Sequence, residues 1–258
     1  VTDPVTDRLL VAEGPPGVRV LTFNRPEVRN AFDAGLYRAL TDGLRAARED
    51  EAVKVVVLTG AGTAFSSGQD LKEMAAIATG TAPPGAELGF RGLLSALQDF
   101  DKPLVAAVNG VAVGLGMTLL PYCDLVLVAR SARLRVPFAE LGVPPEAGSS
   151  LLFPERMGWQ RAARLLFCAD WLDGPGAVAA GLALAAYPDD EVLGEALALA
   201  ATVAAHPLEA LIEMKRLLAA ARAPALEAAR AREEEAFGRL LGGAANRDAL
   251  ARFIAPGS

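Results

Sequence analysis

The sequence predicts an α/β protein with a helical final third. Three observations carry this. β-Branched runs at residues 18–23 (VRVLTF) and 53–59 (VKVVVLT) flank a stretch, 31–48, with helical periodicity and helix-favouring residues. The same strand-then-helix order recurs as far as residue 129, which is the pattern of a repeated β/α winding. Beyond about residue 158 the strand signal largely disappears into alanine- and leucine-rich segments.

Taken in order, residues 18–23, 31–48 and 53–59 read as strand, helix and strand. Residues 71–77 form a short helical piece, and 79–89 (TGTAPPGAELG) collect glycine and proline into an expected mobile surface loop. Residues 88–100 read as helix, 104–108 (LVAAV) as a buried strand, the segment from Met117 as the start of a helix, and 125–129 as another strand. Residues 159–168, 175–181, 190–205 and 208–221 then read as helices. The run ALEAARAREEEAFGRLL lacks a sustained heptad and follows Pro224, so packing or oligomerisation explains it better than a coiled coil.

The 258 residues, 52% hydrophobic and 22% charged, suffice for a full core. They fit one large domain or a core with an appendage, and we divide them into a core at 1–195 and a helical oligomerisation region at 196–258. A net charge of −6 without a basic block speaks against a nucleic-acid partner. No apolar run reaches the roughly 18 residues of a membrane span, and the first residues lack a basic start or signal core, so a cytoplasmic protein with no membrane insertion is expected. Cys123 and Cys168 have no C-x-x-C spacing and are expected to be buried small hydrophobes. His206 is the sole histidine, which removes histidine triads and multi-histidine metal sites from consideration. No metal is expected, and the chemistry must rest on carboxylates and backbone.

Two glycine-rich turns stand between strands and helices. In GAGTAFSSGQDLKEM, Gly68 precedes Gln69 and Asp70; in NGVAVGLGMT, Gly114 and Gly116 flank Leu115. A glycine bend before a helix presents N–H groups that lack an intrahelical acceptor, at the positive end of the helix dipole. Paired turns of this kind suggest paired donors for an anion or a developing oxyanion. Taken singly, each turn also fits a plain connection. The G-L-G-M-T segment does not complete a dinucleotide fingerprint.

In combination, NRPEVRNAF (24–32), VVVLTGAGTAFSSGQDLKEM (55–74), KPLVAAVNGVAVGLGMTLLPYCDLVLVA (102–129) and AELGVPPEAGSS (139–150) resemble, in the right order, the crotonase (enoyl-CoA hydratase/isomerase) superfamily. The resemblance continues weakly into MKRLLAAAR (214–222). It implies a spiral of repeated β-β-α units with a helical C-terminal region, an acyl-CoA thioester as substrate and partner, and assembly as a homotrimer or homohexamer. It implies no separate cofactor, coenzyme A being part of the substrate. By the same resemblance Gln69 and Leu115 donate backbone N–H groups to the thioester oxygen. Arg25, Arg29, Ser67, Gly68, Asp70, Leu71, Gly114, Thr118 and Phe138 fall at positions that surround the CoA ester. Arginines on such a connection also commonly stand solvated, and RFIAPGS at the end lacks the basic pair that many relatives carry there.

The resemblance also sharpens the reaction. A hydratase of this type uses two glutamates, at positions that fall here on Thr118 and Phe138, neither of which transfers protons readily near neutral pH. One carboxylate stands in the adjoining loop, Glu146 in GVPPEAGSS, a placement resembling the Δ3,Δ2-enoyl-CoA isomerases. One base suffices to move a double bond, and burial beside Phe138 and the acyl chain would raise its pKa. Read without the family, Glu146 could equally cap a helix beginning near Ser149 or face solvent. Glu140 is a rival carboxylate, Asp70 reads as a helix N-terminal charge, and Leu71, Met74, Ile77 and Phe138 fit an acyl pocket or plain core. Four readings follow: a 3-enoyl-CoA to 2-enoyl-CoA isomerase, an enoyl-CoA hydratase-like enzyme, an isomerase of a ring-derived CoA thioester, and a catalytically silent acyl-CoA-binding subunit.

Overall fold

A computed structural model describes residues 7–82 and 88–254. The chain runs β1 (Leu9–Glu13), β2 (Val18–Phe23), α1 (Ala34–Glu49), β3 (Val55–Gly60), β4 (Ala64–Ser66), α2 (Leu71–Ala78), α3 (Leu88–Asp99), β5 (Leu104–Val108), β6 (Val111–Val113), α4 (Leu115–Thr118), β7 (Leu125–Ala129) and β8 (Arg133–Arg135). It continues through α5 (Ser149–Met157), α6 (Trp159–Cys168), β9 (Leu172–Asp173), α7 (Gly174–Ala179), β10 (Ala185–Tyr187), α8 (Val192–Ala204), α9 (Leu208–Ala220), α10 (Ala223–Leu240) and α11 (Ala244–Ile254).

From β3 onward, successive strand pairs hand one strand to each of two sheets. The larger sheet has the order β1-β2-β3-β5-β7-β10 and the smaller the order β4-β6-β8-β9. From β2 onward the larger sheet is parallel, whereas β1 adds antiparallel at its edge. This is the expected spiral of β-β-α units. Strands β3 (VVVLTG) and β5 (LVAAV) are buried at every residue, as strands covered on both faces must be, which is why they read as unbroken apolar runs.

Helix α1 begins at Ala34 rather than Ala31, because the Asp33 side chain caps it by accepting from Leu36 N at 2.8 Å. At its other end Lys102 Nζ donates to Ala47 O (2.9 Å) and Asp50 O (2.7 Å). The helix expected from Met117 is a single turn, α4, followed by a 3-10 turn at Leu120–Tyr122. Beyond residue 158 strands persist in short form: β9 and β10 close one edge of each sheet.

Helix α8 buries Val192, Ala196, Ala200 and Ala204 and lies against β2, β3, β5 and β7. The division expected after residue 195 therefore falls inside a core helix, whose small residues allow close approach to the sheet. Helix α10 packs on α5 and α11 on α2, so residues 196–254 fold back over the rest. Among the described residues no single helix is long and apolar enough to cross a membrane. Cys123 is buried as expected, but Cys168 is exposed at the end of α6, because its position lies off the helix's buried Ala162 and Leu165. Residues 83–87 of the expected mobile loop, and the last four of RFIAPGS, lie outside the described residues.

The small sheet depends on backbone proximity. A Cβ at Gly110 would lie 2.0 Å from Thr63 O, just before β4, so no side chain fits between the two connections. Gly110→Ala is expected to cost about 3 kcal/mol, measured as a lower urea midpoint at unchanged slope.

Candidate active site

The loop after β4 and the loop after β6 meet. Gly68 (φ 87°) and Gly114 (φ 53°) both adopt backbone that other residues rarely take. A Cβ on Gly68 would lie 2.5 Å from Val113 O and 3.4 Å from Leu115 N. The first loop is pinned by a parallel bridge between Phe32 and Gln69, in which Phe32 N donates to Gly68 O (2.7 Å) and Asp70 N to Phe32 O (2.9 Å). Such a bridge uses the neighbours' groups and leaves the Gln69 N–H pointing away. In the second loop Gly114 N donates to Arg135 O, and Met117 and Thr118 N turn back to Gly114 O. Leu115, the first residue of α4, has no intrahelical acceptor. Among the described residues neither Gln69 N nor Leu115 N donates a hydrogen bond, and both residues line a cavity of about 110 Å³ with Ser67, Leu71, Gly114 and Phe138.

Glu146 lines this cavity and also a second one of about 240 Å³. The larger cavity is walled by Tyr37, Met74, Ile77, Phe90, Phe237 and Leu241, so its apolar surface comes from α1, α2, α3 and α10. Only 9% of Glu146 is exposed, and burial, followed by the charge of Glu233, raises its pKa from the ordinary 4.5 to about 8. It neither faces solvent nor caps α5. The capping is done by Glu233 of α10, whose carboxylate accepts from Gly148 N (2.6 Å) and Ser150 N (2.8 Å).

Ser67 N donates to Arg29 O (2.8 Å) and Ser67 Oγ to Val28 O (3.1 Å), which joins the first loop to the 24–30 segment. Arg29 is exposed there. Asp70 is the N-cap of α2, accepting from Lys72 N at 3.1 Å. Two expected site residues stand elsewhere. Arg25 donates to Ala31 O (2.6 Å) and pairs with Asp33 (3.3 Å) and Asp70 (3.5 Å), so its charge is spent inside the protein. Thr118 is fully buried within α4, lines neither cavity, and its hydroxyl finds no partner. Glu140 pairs with Arg135, away from both cavities.

Sequence reasoning assigned the α10 run to packing or oligomerisation and missed its place in the site. Its buried stripe runs Leu226, Ala229, Glu233 and continues to Phe237 at the larger cavity. The readable signal was a glutamate occupying an apolar position of a helical stripe, where a charge rarely lies without a partner.

An α/β spiral that brings two unpaired backbone donors to a cavity beside a buried carboxylate can stabilise a developing oxyanion. Comparison with known proteins agrees. The chain belongs to the enoyl-CoA hydratase/isomerase family, whose model (Enoyl-CoA hydratase/isomerase) matches residues 13–255. It is 36% identical over 225 residues to 2,3-dehydroadipyl-CoA hydratase of Escherichia coli (strain K12), covering 85% of each chain. It is 39% identical over 184 residues to enoyl-CoA delta isomerase 2 of Rattus norvegicus, covering 70% of this chain and 46% of that protein. The crystal structure of an enoyl-CoA hydratase/isomerase from Pseudoalteromonas atlantica T6c superposes with a TM-score of 0.89 at 34% identity, over 96% of both chains.

The folded-state pKa of Glu146 lies above its unfolded value, so folding takes up a proton between about pH 4.5 and about 8, and stability falls as pH rises through that window. Glu146→Gln, which removes the ionisable group and keeps its shape, is expected to raise the Tm by about 3 °C or more at pH 9 and to leave it unchanged at pH 4.

Proposed function

We propose that the protein shifts the double bond of a 3-enoyl-CoA to give the 2-enoyl-CoA, with Glu146 as the single acid/base. The observation that carries this reading is the position of Glu146, the carboxylate common to the donor-lined cavity and the apolar one. The sites of a hydratase's glutamates hold Thr118 and Phe138 instead. The thioester oxygen sits between the N–H groups of Gln69 and Leu115, and the acyl chain extends into the larger cavity. Ionised Glu146 removes a proton from C2. The electron pair delocalises onto the thioester oxygen, held by the two donors, and protonated Glu146 returns the proton at C4. Each donor contributes about 3 kcal/mol to the enolate-like transition state. The exposed Arg29 meets a CoA phosphate.

The experiment follows 3-enoyl-CoA and 2-enoyl-CoA with purified protein in deuterium oxide, by mass and absorbance. Migration with deuterium incorporation and no water addition is expected. Hydration of the 2-enoyl ester would replace this reading with a hydratase. Glu146→Gln is expected to lower kcat by about 10²–10⁴-fold, and full activity in that variant would remove Glu146 from the mechanism. Because the ionised form is the base, kcat/KM should rise with pH up to an apparent pKa of about 8. Arg29→Ala should raise KM about fivefold, the equivalent of ~1 kcal/mol, with kcat unchanged, whereas Arg25→Ala should lower stability through its lost internal partners.

A further inference from the structure

The turn that presents Glu146 is held by side chains from elsewhere. Ala147 (φ 59°) and Gly148 (φ 73°) are both left-handed, which for alanine is an unfavourable backbone. Tyr122 Oη donates to Ala147 O at 2.8 Å and Ser149 Oγ to Glu146 O at 2.6 Å. The strongest hold comes from Glu233, 6% exposed, whose two oxygens take the N–H groups of Gly148 and Ser150 at the start of α5.

Glu233 also lines the larger cavity with Glu146. Other polar side chains line that cavity too, among them the buried Tyr37 hydroxyl, which has no hydrogen-bond partner among the described residues. Arg91 of α3 pairs with Glu234, and Arg230 of α10 donates to Gln98 at 2.7 Å. Tyr37 of α1 keeps its proton, burial raising its pKa well above 10. Helix α2 brings only Met74 and Ile77, and the loop after β4 brings the neutral Gln69. Among the described residues the anion on this cavity that stands beside Glu146 without an ion-pair partner is Glu233; Arg230 keeps its charge there as well, since Gln98 is neutral.

We propose that Glu233 is a positioning residue for the reaction: it locks the left-handed turn that aims Glu146 and holds a negative charge against it. A fixed anion beside the base favours the state in which the base has taken the substrate proton, because neutral Glu146 no longer repels it. Glu233 itself exchanges no proton with substrate. Its separation from Glu146 in sequence places one requirement of the site on α10, far from the glycine loops.

This inference rests on Glu146 being the acid/base, and the test separates the two. Glu233→Gln keeps the size, removes the charge and replaces one of the two acceptor oxygens by a donor NH2. The apparent pKa of the acidic limb of kcat/KM should fall by about 0.5–1 unit, and the alkaline plateau of kcat should drop about three- to tenfold. Ser149→Ala loosens the same turn without changing charge, and should lower kcat with the limb in place. An acidic limb unmoved by Glu233→Gln would overturn the inference. Glu233→Asp, which keeps the charge but loses reach, carries the test if the amide variant does not fold. Lower kcat with the limb in place supports the positioning role, and wild-type kcat overturns it. Activity in Glu146→Gln would remove both readings. An inactive Glu146→Gln with an unmoved limb in Glu233→Gln would remove only this one.

Discussion

The backbone contact between the loop after β4 and the loop after β6 is the constraint on which the site depends. At Gly68 the chains approach so closely that a methyl group would lie within 2.5 Å of Val113 O. The parallel pairing of β4 with β6 sets that approach, and Asn30 braces it from the side. Its buried side chain accepts from Arg25 N and donates to Ala61 O and Ala64 O, satisfying backbone groups that a tight turn would otherwise leave unpaired at a cost of about 1–3 kcal/mol each. Because the resulting donors are peptide N–H groups, the side chains of Gln69 and Leu115 are free to serve the cavity walls.

The second feature is a carboxyl group kept dry. Placing Glu146 between two apolar cavities raises its proton affinity, and a nearby anion raises it further. That arrangement works against stability at alkaline pH and suits a group that must take and return a proton. The surrounding walls combine α2, which follows the first donor loop directly, with α1, α3 and α10, which come from elsewhere in the chain.

Much of this was legible in the sequence because backbone conformation writes itself in glycine. The two donor turns, the Asp70 cap and the loop carrying Glu146 all follow from short motifs. The strands β3 and β5 were readable as unbroken apolar runs. Residues defined by tertiary contact were not. Arg25 looks like a phosphate ligand until Asp33 and Asp70 are brought beside it. Thr118 looks accessible until α4 is packed between sheet and loop. The cap of α5 could not be sought locally, since the capping carboxylate arrives from 85 residues away. Strands as short as β9 and β10 carry too few residues for a period to emerge.

That 85-residue reach has a kinetic meaning. The turn bearing Glu146 is synthesised with only Tyr122 and Ser149 available to hold its left-handed backbone, and acquires its carboxylate cap only when α10 docks on α5. Closing so long a loop carries an entropy cost that must be met before the contact returns anything. The glycine loops are made and can meet before residue 233 emerges, so the carboxylate's setting is completed only after α10 has been synthesised.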